Sequence, residues 1–147
     1  ARDIRPLYDA IIKASSFELY LIGDSDISLQ PKDNVFIKNR VSSNEVEEYA
    51  DQVDILVCLM NSKGKQVPGK MYHYAGSYKE ILVIKDGECG DEIEKYFSQF
   101  NRYTFVENNK ESILDILSNY SNNGIPDRKP LKQFSPDVIA RQLLESD

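Results

Sequence analysis

The sequence predicts a doubly wound, Rossmann-like α/β domain: a parallel sheet with helices on both faces. Short apolar runs alternate with stretches whose apolar residues recur at helical spacing. The apolar runs are nearly unbroken, as in strands covered by helices on both sides. At 147 residues the chain is long enough for one domain, 1–147, with stacked layers around a core.

The elements follow in order. Leu7, Ala10, Ile11 and Ala14 share one helical face, and Pro6 suits a first turn. "FELYLIG" is a strand ending at Gly23, and "NVFIKN" is a second, short strand. Ser42 with Glu45 three residues on forms a capping box ahead of a helix carrying Val46, Tyr49, Ala50 and Val53. "DILVCLM" reads as a buried strand, and Met71, Tyr74, Ala75 and Tyr78 restore helical spacing. "EILVIK" is the next buried strand, followed by a helix marked by Ile93, Tyr96, Phe97 and Phe100. "YTFVE" is a weaker strand before Ile113, Ile116, Leu117 and Tyr120. "SNNGIPDRKPLKQ" is a loop, and Ser135-Pro136 caps a terminal helix with Ile139, Ala140, Leu143 and Leu144. Such domains usually open on a central strand, whereas this chain opens on a helix. It is therefore expected to be the C-terminal part of a longer, two-domain protein.

Composition narrows the function. Lys plus Arg number 18 against 24 Asp plus Glu, a net charge of −6, which argues against a nucleic-acid partner. Hydrophobic residues make up 41% of the chain, as in a soluble globular protein. No apolar run approaches the roughly 20 residues that span a bilayer. "ARDIRPLYDAIIKA" is an amphipathic helix and not a basic start followed by an apolar stretch, so no signal peptide is expected. Cys58 sits in an apolar run and Cys89 in the turn "DGECG", so no disulfide framework is indicated. With a single His in the chain, no metal site is expected. A reducing cytoplasm fits this usage.

"GKQVPGKM", residues 64–71, resembles a phosphate-binding loop only superficially. In such loops the residue after Gly-Lys is Ser or Thr, whose hydroxyl holds magnesium; here it is Met71, part of the core stripe. Pro68 also removes a backbone N–H that would face phosphate. The same residues make sense as a helix start: Pro68 at the first position, Gly69 allowing close approach to the backbone, and Lys70 adding a mobile positive charge to an anion site. At about 100° per residue, His73 lies about 150° from the Met71 stripe, one turn below that site and near where a ribose would sit. The site is expected at the carboxyl end of a strand, where open α/β sheets bind ligands.

"VPGKMYHYAGSYKEILVI" resembles the segment of retaining family-4 glycosyltransferases that commonly reads V-P-G-K-L-F-E-Y-L-G-A-G-K-P-I-L. "RDIRPLYDAI" followed by "FELYLIGD" is similar to the first helix and second strand of their C-terminal domain, and "VFIKNRVSSNEVEEYADQVDILVCLM" to the strand, loop, helix and strand before the motif. "FSPDVIARQLLE" is similar to their closing helix. The resemblance implies a GT-B fold, with this chain as the donor-binding half. It further implies transfer of a hexosyl group from a nucleotide-sugar to an acceptor with retention of configuration and without metal or other cofactor, in polysaccharide or glycoconjugate synthesis. The carbohydrate or lipid-linked acceptor would be held by an N-terminal domain, in the cytoplasm and at the inner face of the membrane if peripherally attached. Lys70 matches the family's lysine and Gly69 its glycine. Arg2 stands where many members have a phosphate-contacting Lys, making Lys70 and Arg2 the expected catalytic cations. Asn39, Arg40 and Val41 stand where backbone atoms meet the base, and Gln66 and Pro68 complete the donor-binding set.

The chain departs from the family in three places. The ribose-binding Glu is His73, and the first Glu of the paired motif, eight positions earlier, falls on Lys65. Tyr78 and Glu80 replace a usual Gly and Pro, a change expected to affect only the turn into the next strand. The loss of both glutamates keeps a second reading open, a non-catalytic nucleotide-binding module. A phosphate-accepting receiver domain is discounted, because "DILVCLMNS" ends without an Asp. Asp24 and Asp26 in "GDSD" read as a turn.

Overall fold

A computed structural model describes residues 2–23, 28–64 and 66–131. The expected terminal helix, the Asp24/Asp26 turn and Lys65 lie outside these residues.

Helices and strands alternate. They run α1 (Arg5–Lys13), β1 (Leu19–Ile22), β2 (Val35–Lys38), α2 (Ser43–Gln52), β3 (Ile55–Leu59), α3 (Lys70–Tyr74), β4 (Glu80–Lys85), α4 (Gly90–Phe97), β5 (Tyr103–Glu107) and α5 (Lys110–Asn123). Ser42 caps α2 through its hydroxyl, which accepts the Glu45 N–H at 3.3 Å. Asn109 caps α5 through its side-chain carbonyl oxygen, which accepts the Ser112 N–H at 2.8 Å.

All strand pairs between these elements are parallel, and helices cover both faces. Leu7, Ala10 and Ile11 of α1 and Ile113, Leu117 and Tyr120 of α5 pack with Leu82, Ile84 and Val106 on one side. Met71 and Ala75 beside α3, with Ile93 and Phe97 of α4, pack with Cys58, Ile81 and Val83 on the other. β4 is buried along its whole length.

One expectation is corrected. The strands form two sheets, β1-β2 and β3-β4-β5, and not one continuous sheet. β1 and β3 face each other across a cleft of about 1010 Å³ without hydrogen bonds between them. Val46 and Tyr49 of α2, with Val53 just after it, line the same cleft. β3, now an edge strand, is only half-buried on one face: Leu56 and Cys58 are buried, whereas Ile55, Val57 and Leu59 are not fully covered.

The segment after α5 closes the amino end of the larger sheet. Arg128 donates from Nε to the buried Glu80 carboxylate at 3.1 Å, and the Leu131 N–H reaches the Ala75 carbonyl at 2.9 Å. The chain thereby crosses from the α5 face to the α3 face.

Candidate functional site

The carboxyl ends of the parallel strands gather the loops that follow β1, β3, β4 and β5. The loops after β3 and β4 touch: a Cβ placed on Gly87 (φ +78°) would come within 2.7 Å of the Asn61 carbonyl oxygen. The residues before α1 are tied to this edge, because Asn108, just past β5, donates from Nδ2 to the Asp3 carbonyl at 3.1 Å and to Asp86 at 2.9 Å.

This tether brings Arg2 to the cleft. Arg2 and Lys70 both line it, together with Gly23 at the end of β1 and Asn61 after β3. Both cations act on the Cys58 thiol near the end of β3. Burial pushes that thiol up to about 12, and Lys70 and Arg2 pull against the shift. Among the described residues neither cation forms an ion pair. Two residues 68 positions apart in sequence, both expected to meet phosphate, therefore share one cleft.

The helix between them differs from the expected one. α3 holds five residues, so little macrodipole is available and the positive side chains must hold any anion. It starts at Lys70 with Gly69 as N-cap, and Pro68 precedes the helix instead of opening it. The Pro68 carbonyl accepts the Met71 N–H at 3.0 Å, which makes a tight turn of the approach. Pro68 is buried and lines the cleft. Gly69 has an ordinary helical φ of −58° and nothing within 4 Å of an added Cβ, so its missing side chain leaves open space beside Lys70.

The far end of α3 is cut short by Arg102. Its guanidinium, almost fully buried, donates to the carbonyls of Ala75 and Tyr74 at 3.4 Å and of Ser77 at 2.6 Å. Ser77 also donates from its hydroxyl to Tyr74 at 2.8 Å. Tyr78, expected on the core stripe, is consequently 76% exposed.

The remaining expected site residues lie apart from the cleft lining. His73 is exposed, and its Nε2 meets the Glu47 carboxylate of α2 at 2.9 Å. Asn39 and Arg40 are exposed and Val41 half-buried, all after β2, and Gln66 is exposed in the loop before α3. Among the described residues no group of His, Cys, Asp and Glu is arranged to hold a metal ion. Nor is any described helix long and apolar enough to cross a membrane.

No family model, curated protein or solved structure matches the chain.

Two charged residues were hidden by apolar surroundings. Glu80, expected to alter only a turn, is the first residue of β4. Its buried carboxylate accepts from the Ile81 N–H, Thr104, Tyr120 and Arg128, each at 3.1 Å. Lys85 closes β4 at the other end and meets Asp91, Glu94 and Glu107 at 2.8, 2.5 and 2.9 Å. Burial works to lower the Lys85 pKa, but hydrogen bonds to these three carboxylates outweigh it and hold the ammonium above its ordinary range. Lys85 is thus neutralised in place, which leaves Lys70 and Arg2 as the cations of the cleft.

Proposed function

We propose that this chain is the donor-binding domain of a retaining, nucleotide-sugar-dependent glycosyltransferase of GT-B architecture. The observation that carries the reading is the pairing of Arg2 with Lys70 in one cleft at the carboxyl end of β1 and β3. Both positions match phosphate-contacting residues of the family that the sequence resembles.

The chemistry follows from charge. Transfer breaks the bond between the anomeric carbon and the β-phosphate oxygen, and the electron pair leaves with the nucleoside diphosphate. Two cations aimed at that diphosphate stabilise the charge as it develops, with no proton transfer to the leaving group required. The acceptor oxygen forms the new bond to the anomeric carbon, and its proton goes to the departed diphosphate or to water. An N-terminal domain would hold that acceptor, in the cytoplasm or at the inner membrane face.

The non-catalytic nucleotide-binding module remains the second reading. Lys65 and His73 stand where the family has glutamates, and the His73 ring is held by Glu47. A ribose contact would require His73 to leave Glu47, so the donor reading is carried by Arg2 and Lys70 and does not use His73.

Calorimetry with UDP, GDP and ADP tests the binding half of both readings. Saturable binding of at least one of them, weakened in Lys70→Ala, is expected; no binding of any would remove both. Sugar transfer by the protein with its acceptor domain separates the two.

A further inference from the structure

The cleft is larger and more apolar than a diphosphate site requires. Its volume of about 1010 Å³ stands at the upper end of the roughly 300–1,000 Å³ typical of small-molecule pockets. Ile55, Val57 and Leu59 form a half-buried apolar wall on β3, packed in part against the α1/α5 core, and Leu21 of β1 and Val53, just after α2, line the cleft as well. β3 is the edge strand of its sheet, with no strand paired to its outer side, so this wall is left half-covered.

Charge is distributed along the cleft in one direction. Arg2 and Lys70 line its carboxyl end, and neither forms an ion pair among the described residues. Glu18 and Asp54 line its amino end, beside the starts of β1 and β3. An occupant with one anionic end and one apolar body is therefore oriented: the anion meets the two cations and the body lies along β3. A phosphate monoester near its dianionic form matches two positive side chains.

We propose that the cleft binds a single-chain amphiphile with a phosphate head, an alkyl or isoprenyl phosphate, with its chain between β1 and β3. The inference does not rest on the donor-site reading, with which it shares Arg2 and Lys70. A nucleoside diphosphate and the amphiphile would therefore compete.

The test is calorimetry with inorganic phosphate, hexyl, octyl and decyl phosphate and decanol, all below micelle formation. Each methylene taken from water is worth roughly fourfold in affinity, so affinity should rise roughly tenfold or more for each two carbons, at one ligand per chain. Decyl phosphate should bind at least about tenfold more tightly than decanol, and Lys70→Ala and Arg2→Ala, both at exposed positions, should each reduce that advantage. The chain-length series needs no substitution, so a variant that folds poorly does not blunt the test. Equal affinity for inorganic and decyl phosphate, binding without a defined stoichiometry, or no loss in either variant overturns the proposal. Binding of UDP without decyl phosphate overturns it and leaves the donor reading standing. Binding of decyl phosphate without any nucleotide does the reverse.

Discussion

Replacing Glu80 with Ala should be among the most destabilising single changes in this domain. The carboxylate is fully buried, with a side chain 0% exposed, and accepts four hydrogen bonds. Its removal leaves the Arg128 guanidinium with Thr104 alone, at 3.2 Å, and leaves the hydroxyl of the buried Tyr120 with Thr104 as its remaining side-chain partner. Breaking one partner out of a buried ion pair costs about 3–5 kcal/mol, against a total stability of about 5–15 kcal/mol for a domain. With a urea slope of about 2 kcal/mol per molar, the unfolding midpoint should fall by roughly 1.5–2.5 M. Glu80→Gln preserves the volume but cannot accept from both Arg128 and Thr104, and should fall between the two. The variants should also free the segment that crosses the amino end of the sheet, so trypsin should cut after Arg128 faster than in the parent. A midpoint shift below about 0.5 M at unchanged slope would refute the reasoning, because a shift that small belongs to an exposed pair.

Other outcomes follow from the same structure. Arg102→Met removes donors to three carbonyls at the end of α3 and should cost about 2–4 kcal/mol in urea unfolding. Cys58 is buried with its thiol pushed up to about 12, whereas Cys89 is partly exposed, so a disulfide reagent at pH 8 should modify Cys89 alone until denaturant is added. Because the folded-state value for Cys58 lies above the unfolded one, its contribution to stability is intact below about pH 9 and is lost as pH rises toward about 12, which urea unfolding across that range would detect. Lys70→Ala should weaken nucleoside diphosphate binding by about 1–2 kcal/mol in calorimetry. His73→Gln should change that affinity by less than about twofold, since the ring is engaged by Glu47; a larger loss would show that it turns to the ligand.

The sequence was most informative where local chemistry decides structure. Helical spacing placed Leu7, Ala10 and Ile11 in the core, and the side chain of Ser42 caps its helix as its spacing to Glu45 suggested. It was least informative where a distant residue decides. α3 stops at Tyr74 because Arg102, more than 20 residues later, takes its last carbonyls, and no helical pattern in "MYHYAGSY" signals that. Glu80 and Lys85 bracket an apolar run and look like strand ends facing water; their partners come from other elements and draw them inside. The division into two sheets was equally hidden, since each strand is apolar and parallel either way, and spacing along one strand carries no information on its neighbour. At the site, the Gly69-Lys70 motif pointed to a loop from which Pro68 and Lys70 line the cleft. Arg2 reaches the same cleft through the Asn108–Asp3 contact, which sequence proximity does not reveal.

The central claim is that Arg2 and Lys70 jointly hold a nucleoside diphosphate at the carboxyl end of β1 and β3. Backbone amide shifts of the labelled domain, followed during titration with UDP, GDP and ADP, test it most directly. At least one nucleotide should move the amides of Gly23, Asn61 and Lys70 along one saturating curve. Perturbation confined to the opposite end, around Arg102 and Glu80, or an unchanged spectrum with all three nucleotides, would contradict it.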